Sequence, residues 1–252
     1  MIKKNIALGV ILTMIGWIGV ASLLTMDIAL PPEMLELLEA DFSPSQIQLL
    51  LLINPSILVL VAVIIGISLG KKTNLSAPVL EKLVGIRKDH LDYRSIVKQG
   101  LIGGAITGLL LSGLIILFSN VTPSEFQKLG NSIQPSLATR FLYGGITEEI
   151  LMRFGLMTLL VWIISKLFKT IKPVVYWLGI VLAALLFAVG HFPAVFNALE
   201  HPSPAMITYV LIGNTLGGLV FGWLYWKRGL ESAIIAHGFA HVFLVVAEQI
   251  FR

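Results

Sequence analysis

The sequence predicts an all-α, polytopic transmembrane helical bundle with about seven spans and a cytoplasmic N-terminus. Three observations carry that prediction. Of 252 residues, 56% are hydrophobic and 13% charged, with a mean hydropathy of +0.90, whereas soluble domains are about one-quarter charged. Seven apolar runs are long enough to cross a bilayer. Most lysines and arginines lie in alternate loops, on one side of those runs.

A hydrocarbon core about 30 Å thick takes about 20 helical residues, each rising about 1.5 Å. The runs are Asn5 to Met26, Ile47 to Gly70, Gly100 to Ser119, Leu137 to Ile164, Val174 to Ala198, Ala205 to Trp226 and Leu230 to Ile250. Each is apolar nearly all round instead of alternating, so helices and not barrel strands satisfy the backbone in lipid. The first follows Lys3 and Lys4 but exceeds a signal-peptide core and lacks a small-residue cleavage site before Asp27; it reads as a retained helix. Residues 1–136 read as N-terminal transmembrane helices and loops, and residues 137–252 as the segment bearing the motifs, within one integral-membrane domain.

Loop by loop, two basic residues precede the first run, seven lie between Lys71 and Lys98, three between Lys166 and Lys172, and two are Lys227 and Arg228. The opposite side holds Lys128, Arg140 and Arg252, while Asp27 to Asp41 carries five acids and no base. The positive-inside rule then places the N-terminus in the cytoplasm. The stretch from Lys71 to Lys98 reads first as a topology determinant, and second as a surface for anionic lipid headgroups. A pI near 9.3 would otherwise suggest nucleic acid, but the excess charge forms no continuous basic face, so no nucleic-acid partner is expected. On the other side, Pro31 to Ser45 and Val121 to Ser136 contain short amphipathic pieces suited to the interface. Small-residue pairs, Gly104 with Gly108, Gly213 with Gly217 and Gly218 with Gly222, predict close helix contacts.

Chemistry is confined to a few ionisable groups within the runs: Glu148, Glu149 and Arg153 in the fourth, His191 in the fifth, His237 and His241 in the seventh. A formal charge at mid-membrane costs about 2.5–3.5 kcal/mol on insertion scales, which points to a shared polar cavity. Glu149 and Arg153 stand four apart with the acid first, the favourable order for a helical ion pair. Glu148 lies about 100° away around an α-helix, which leaves it free for acid–base work. The structural alternative has both acids sharing Arg153. His237 and His241 also share a face, while His191 taken alone reads as a satisfied core residue. Together these groups offer a base for water and donors for an oxyanion, as amide hydrolysis requires.

Other nucleophiles are excluded by inspection. There is no cysteine and no G-x-S-x-G motif, all four aspartates fall in loops, and His237 and His241 have the spacing of H-E-x-x-H without its glutamate. The remaining pattern resembles the CPBP family, the CAAX-processing and bacteriocin-processing (Abi) intramembrane proteases. Its E-E-x-x-x-R motif stands at Glu148 to Arg153 and its F-x-x-x-H motif at Phe187 to His191. Its H-x-x-x-N/D motif begins at His237 but ends in His241. The resemblance covers about Leu137 to Val246. It implies that Glu148, helped by His191, activates water, that Glu149 and Arg153 hold the site together, and that His237 with residue 241 stabilises the oxyanion.

The family has been described both as glutamate proteases, which need no cofactor, and as metalloproteases. Zn²⁺ held by Glu148, His191, His237 and His241 is therefore the alternative. The expected partners are membrane lipids and a peptide or lipid-modified protein substrate, and the expected location is a prokaryotic cytoplasmic membrane. Two rival readings use the same residues: an ion- or proton-coupled transporter, and a catalytically inactive immunity scaffold. No internal repeat supports the transporter.

Overall fold

The computed structural model describes residues 2–26 and 30–251; Asp27 and Arg252, both counted in the charge asymmetry, lie outside them. Every regular element among the described residues is helical. Seven helical stretches are long and apolar enough to cross a membrane: Ile2–Thr25, Pro44–Thr73, Tyr93–Val121, Thr139–Phe168, Pro173–Ala198, Pro204–Arg228 and Leu230–Ile250. The protein is thus a multi-pass helical bundle.

The spans are less uniform than hydropathy implies. The first is α1, Ile2–Ser22. A short amphipathic helix, α2 (Pro32–Glu39), then precedes the second span, which is built from α3 (Pro44–Leu51) and α4 (Ile53–Thr73). After α5 (Pro78–Leu83), the third span is α6 (Tyr93–Val121). It starts seven residues before the predicted Gly100, because the Asp92 carboxylate accepts the Ser95 N–H at 2.9 Å and caps the helix in the polar loop. The amphipathic segment after it forms α7, Pro123–Ser132.

The fourth span departs furthest from expectation. It contains two π-helical segments, Thr139–Thr147 and Ile150–Met157, before continuing as α8, Thr158–Phe168. Two threonine side chains follow the wider register: Thr147 Oγ1 donates to the Leu142 carbonyl and Thr158 Oγ1 to that of Arg153, each five residues back. Such i+5 turns are rare and concentrate at functional sites. The fifth span also breaks, with α9 (Pro173–Gly190) ending at His191 and α10 (Phe192–Ala198) beginning directly after it. The last two spans, α11 (Pro204–Arg228) and α12 (Leu230–Phe251), are continuous and turn at Gly229, whose φ of +95° favours glycine.

The core joins the site-bearing helices to α1 and α4 through Leu12, Val59, Ile150, Phe154, Met157 and Ile180, all nearly or wholly buried. Two of the predicted glycine pairs make close crossings: a Cβ on Gly104 would lie 2.6 Å from the Ala236 carbonyl of α12, and one on Gly218 would lie 2.6 Å from Ala184 of α9. Gly213 and Gly217 make only ordinary contacts. Polar links hold α1 to the fourth span: Thr139 Oγ1 donates to the Ser22 carbonyl at 2.9 Å, and Thr147 Oγ1 to that of Gly16 at 2.9 Å. A smaller cluster unites α7, α10 and α11 around Phe126, Val195 and Tyr209, and Glu125 of α7 accepts bonds from the Ser203 amide and hydroxyl.

The contact at Gly19 is testable. A methyl group there would collide with Thr147 Oγ1 and the Leu142 carbonyl, whereas at Gly113 it would meet nothing within 4 Å. Gly19→Ala is expected to destabilise the protein by about 1–3 kcal/mol, read as a lower unfolding midpoint in mixed micelles. Gly113→Ala leaves the midpoint unchanged or raises it.

Candidate active site

The two carboxylates that stand side by side in sequence have different surroundings. Glu149 is fully buried. Its Oε2 lies 3.2 Å from Arg153 Nε, and its Oε1 lies 2.9 Å from His237 Nδ1. Because a carboxylate accepts, Nδ1 carries the proton. The Glu148 side chain keeps 19% of its surface exposed, and its Oε2 lies 3.9 Å from His237 Nε2, beyond hydrogen-bond length. One imidazole thus spans the two acids, bonded to the buried one and close to the partly buried one.

Arg153 is 1% exposed, and none of its side-chain nitrogens makes a hydrogen bond of good geometry among the described residues. Its charge is met by the Glu149 carboxylate and by two aromatic faces, with Phe187 and Phe221 ring centroids 5.2 and 5.8 Å from the guanidinium carbon. Phe221 also stacks on His237 at 4.6 Å. The ring of Phe187 meets that of His191 edge-on at 4.7 Å, and the His191 Nδ1 lies 2.8 Å from the Phe187 carbonyl. A carbonyl only accepts, so Nδ1–H donates and Nε2 is left with its lone pair. His191 makes no hydrogen bond or ion pair with Glu148 among the described residues.

His241, where the resembled family has Asn or Asp, stacks on His237 with centroids 5.0 Å apart and planes 16° apart. Both of its ring nitrogens are buried without a hydrogen-bond partner among the described residues. Phe141 approaches its edge at 6.4 Å. Room for the ring comes from Gly144, where an added Cβ would lie 2.7 Å from Nε2.

Of the six residues singled out in the sequence, Glu148, Glu149, Arg153 and His237 form one contiguous polar group, His241 stacks on it and His191 flanks it. Among the described residues no three histidine, aspartate or glutamate side chains converge closely enough to hold an ion. The stacked rings of His237 and His241 also keep their lone pairs in nearly parallel planes. Phe221 and Gly144 carried no ionisable signal in the sequence. Only the placement of Phe221 among Gly217, Gly218 and Gly222 set it apart.

An integral-membrane bundle that draws two carboxylates, a guanidinium and imidazoles from three spans into one polar group is equipped for hydrolysis inside a membrane. Residues 131–243, somewhat less than half of the chain, match the family model described as type II CAAX prenyl endopeptidase Rce1-like. The match includes the positions of all three motifs, agrees with the CAAX-protease resemblance and supports, in general terms, a CAAX-type intramembrane endopeptidase. No curated protein and no solved structure matches the chain.

Two substitutions probe this arrangement through stability alone. Arg153→Gln leaves the Glu149 carboxylate buried without its cation and is expected to cost about 3–5 kcal/mol in reversible unfolding. Gly144→Ala drives a methyl group into His241 and should cost about 1–3 kcal/mol. The shorter side chain of His241→Asn should recover most of that loss in the double variant, a positive coupling measurable in a mutant cycle.

Proposed function

We propose that Glu148 is the general base of an endopeptidase that hydrolyses an amide bond of a membrane-associated, lipid-modified peptide or protein. The family description names prenyl endopeptidases, and by that likeness a prenylated peptide is the substrate proposed here. The observation that carries the reading is the division of labour between adjacent acids. Glu149 is sealed and held by Arg153 and His237, while the Glu148 side chain keeps 19% of its surface exposed and, among the described residues, meets no ion-pair or hydrogen-bond partner closer than 3.9 Å. Pairs of carboxylates set apart by environment are how one site keeps an acid–base group beside a structural charge.

In this mechanism the Glu148 carboxylate takes a proton from water as the oxygen adds to the scissile carbonyl carbon. The His191 Nε2 lone pair accepts from the same water and orients it. The oxyanion that forms is met by His237 Nε2–H. When His237 is doubly protonated, two carboxylates, one guanidinium and one imidazolium make the group neutral, which suits a low-dielectric interior. His241 adds a second donor, a role supported by its buried, unpartnered ring nitrogens. Collapse of the tetrahedral intermediate breaks the C–N bond, and Glu148 returns its proton to the departing amine. The surplus of Lys and Arg on one side supports a topology with the N-terminus in the cytoplasm.

The test is cleavage of a fluorogenic prenylated peptide by protein reconstituted in vesicles. Glu148→Gln should lower kcat by about 10²–10⁴-fold with an unchanged unfolding midpoint, whereas Glu149→Gln should lower both. Under the metal-free mechanism, treatment with a strong chelator leaves the rate unchanged. Full activity in Glu148→Gln would overturn the assignment.

A further inference from the structure

The basic face of the bundle holds a second polar cavity, remote from the carboxylates. Four span ends surround it: the close of α4 at Thr73, the start of α6 at Tyr93, the close of α11 at Arg228 and the start of α12 at Leu230. Its volume is about 290 Å³, and its lining includes Asn74, Ser76, Arg87, Ser95, Lys227 and Arg228. The cations in it are not equally committed. Arg87 is engaged by Asp89 at 2.9 Å and Glu81 at 3.4 Å. The Lys227 ammonium sits 3.4 Å over the Trp226 ring and meets no carboxylate, and Arg228 makes no ion pair or hydrogen bond among the described residues. The one carboxylate in the lining, that of Asp92, is occupied in part by the Ser95 amide.

The height of the cavity in the membrane is marked by aromatic side chains. Trp226 stacks on Tyr176 at 4.7 Å and meets Trp177 edge-on at 6.3 Å, the kind of cluster that collects at headgroup level. Seven basic and three acidic residues lie between Lys71 and Lys98, so the surrounding field is positive. Exposed cations without acid partners, hydroxyl and amide donors, and an open cavity at headgroup depth together match a tetrahedral phosphate anion.

We propose that this cavity is a binding site for a phosphate group, held by Lys227 and Arg228 and supplied either by an anionic phospholipid headgroup or by phosphate free in solution. The site does not depend on the hydrolytic reading, since none of its residues touches the carboxylate group.

Thermal unfolding of the purified full-length chain in neutral detergent tests it, with added phosphatidylglycerol, phosphatidylcholine or inorganic phosphate. Phosphatidylglycerol should raise the midpoint and phosphatidylcholine should not. In Lys227→Gln/Arg228→Gln the half-saturating phosphatidylglycerol level should rise about thirty-fold, the effect of two lost headgroup cations. Arg228→Gln alone should give an intermediate shift, which covers the case in which the double variant folds poorly. If millimolar inorganic phosphate reproduces the shift and blocks that of phosphatidylglycerol, the free anion is the source; a response to phosphatidylglycerol alone identifies the headgroup. The proposal fails if phosphatidylcholine is equally effective, if the double variant binds as tightly as the parent, or if Lys166→Gln/Lys172→Gln on the neighbouring loop weakens binding equally.

Discussion

A carboxylate and a guanidinium that are both sealed from water have to be compensated by their neighbours, and this constraint organises the whole second half of the molecule. Glu149 and Arg153 are 0% and 1% exposed. Their separate desolvation would cost several kcal/mol each. The pair is held by one direct contact, one imidazole and two aromatic faces, drawn from the fifth, sixth and seventh spans. Those partners reach it only because the backbones approach closely, and the glycines at the α6–α12 and α9–α11 crossings permit that. Packing and electrostatics are therefore one problem here, since loosening any crossing would leave a charge in hydrocarbon without its counterpart.

The same arrangement separates the properties of neighbouring residues. Glu148 and Glu149 differ by one position, yet one is locked into a polar network and the other faces an accessible edge of it. A shared imidazole couples them, because His237 bonds Glu149 with Nδ1 and approaches Glu148 with Nε2. A change of protonation at Glu148 is thereby felt at the ion pair through a single ring. That coupling gives the proposed chemistry a fixed electrostatic background that need not reorganise during the reaction.

Much of this was legible in the sequence, and the reasons are physical. Hydropathy reports the cost of exposing side chains to lipid, so it located all seven spans, most within two or three residues. The i,i+4 spacing of Glu149 and Arg153 made their contact foreseeable because neighbouring turns bring such side chains together. Three features were beyond such patterns. The π-helical segments Thr139–Thr147 and Ile150–Met157 pack against α1 and α4, contacts that hydropathy does not report. The break at His191 lies in an apolar run where hydropathy gives no signal, and only Pro193, in the first turn of α10, marks the new helix start. The contact of His237 with both acids joins residues 88 or more positions apart, for which a single sequence carries no signal. Phe221 illustrates the same gap: its role beside Arg153 comes from its ring, which hydropathy counts only as one more apolar group.

The wide turns of the fourth span carry one last consequence, which concerns chain length. In an i+5 helix each residue advances the backbone by a smaller angle than in an α-helix, so Arg140, Gly144 and Glu148 keep their bearings only while the intervening count is preserved. Arg140 is clasped to Glu248 of α12 by two bonds of 2.9 Å, and Gly144 faces His241 of the same helix. Deleting a single amino acid between Arg140 and Gly144 would shift one by a residue relative to the other, so that the Arg140–Glu248 clasp and the Gly144–His241 approach could not both be kept.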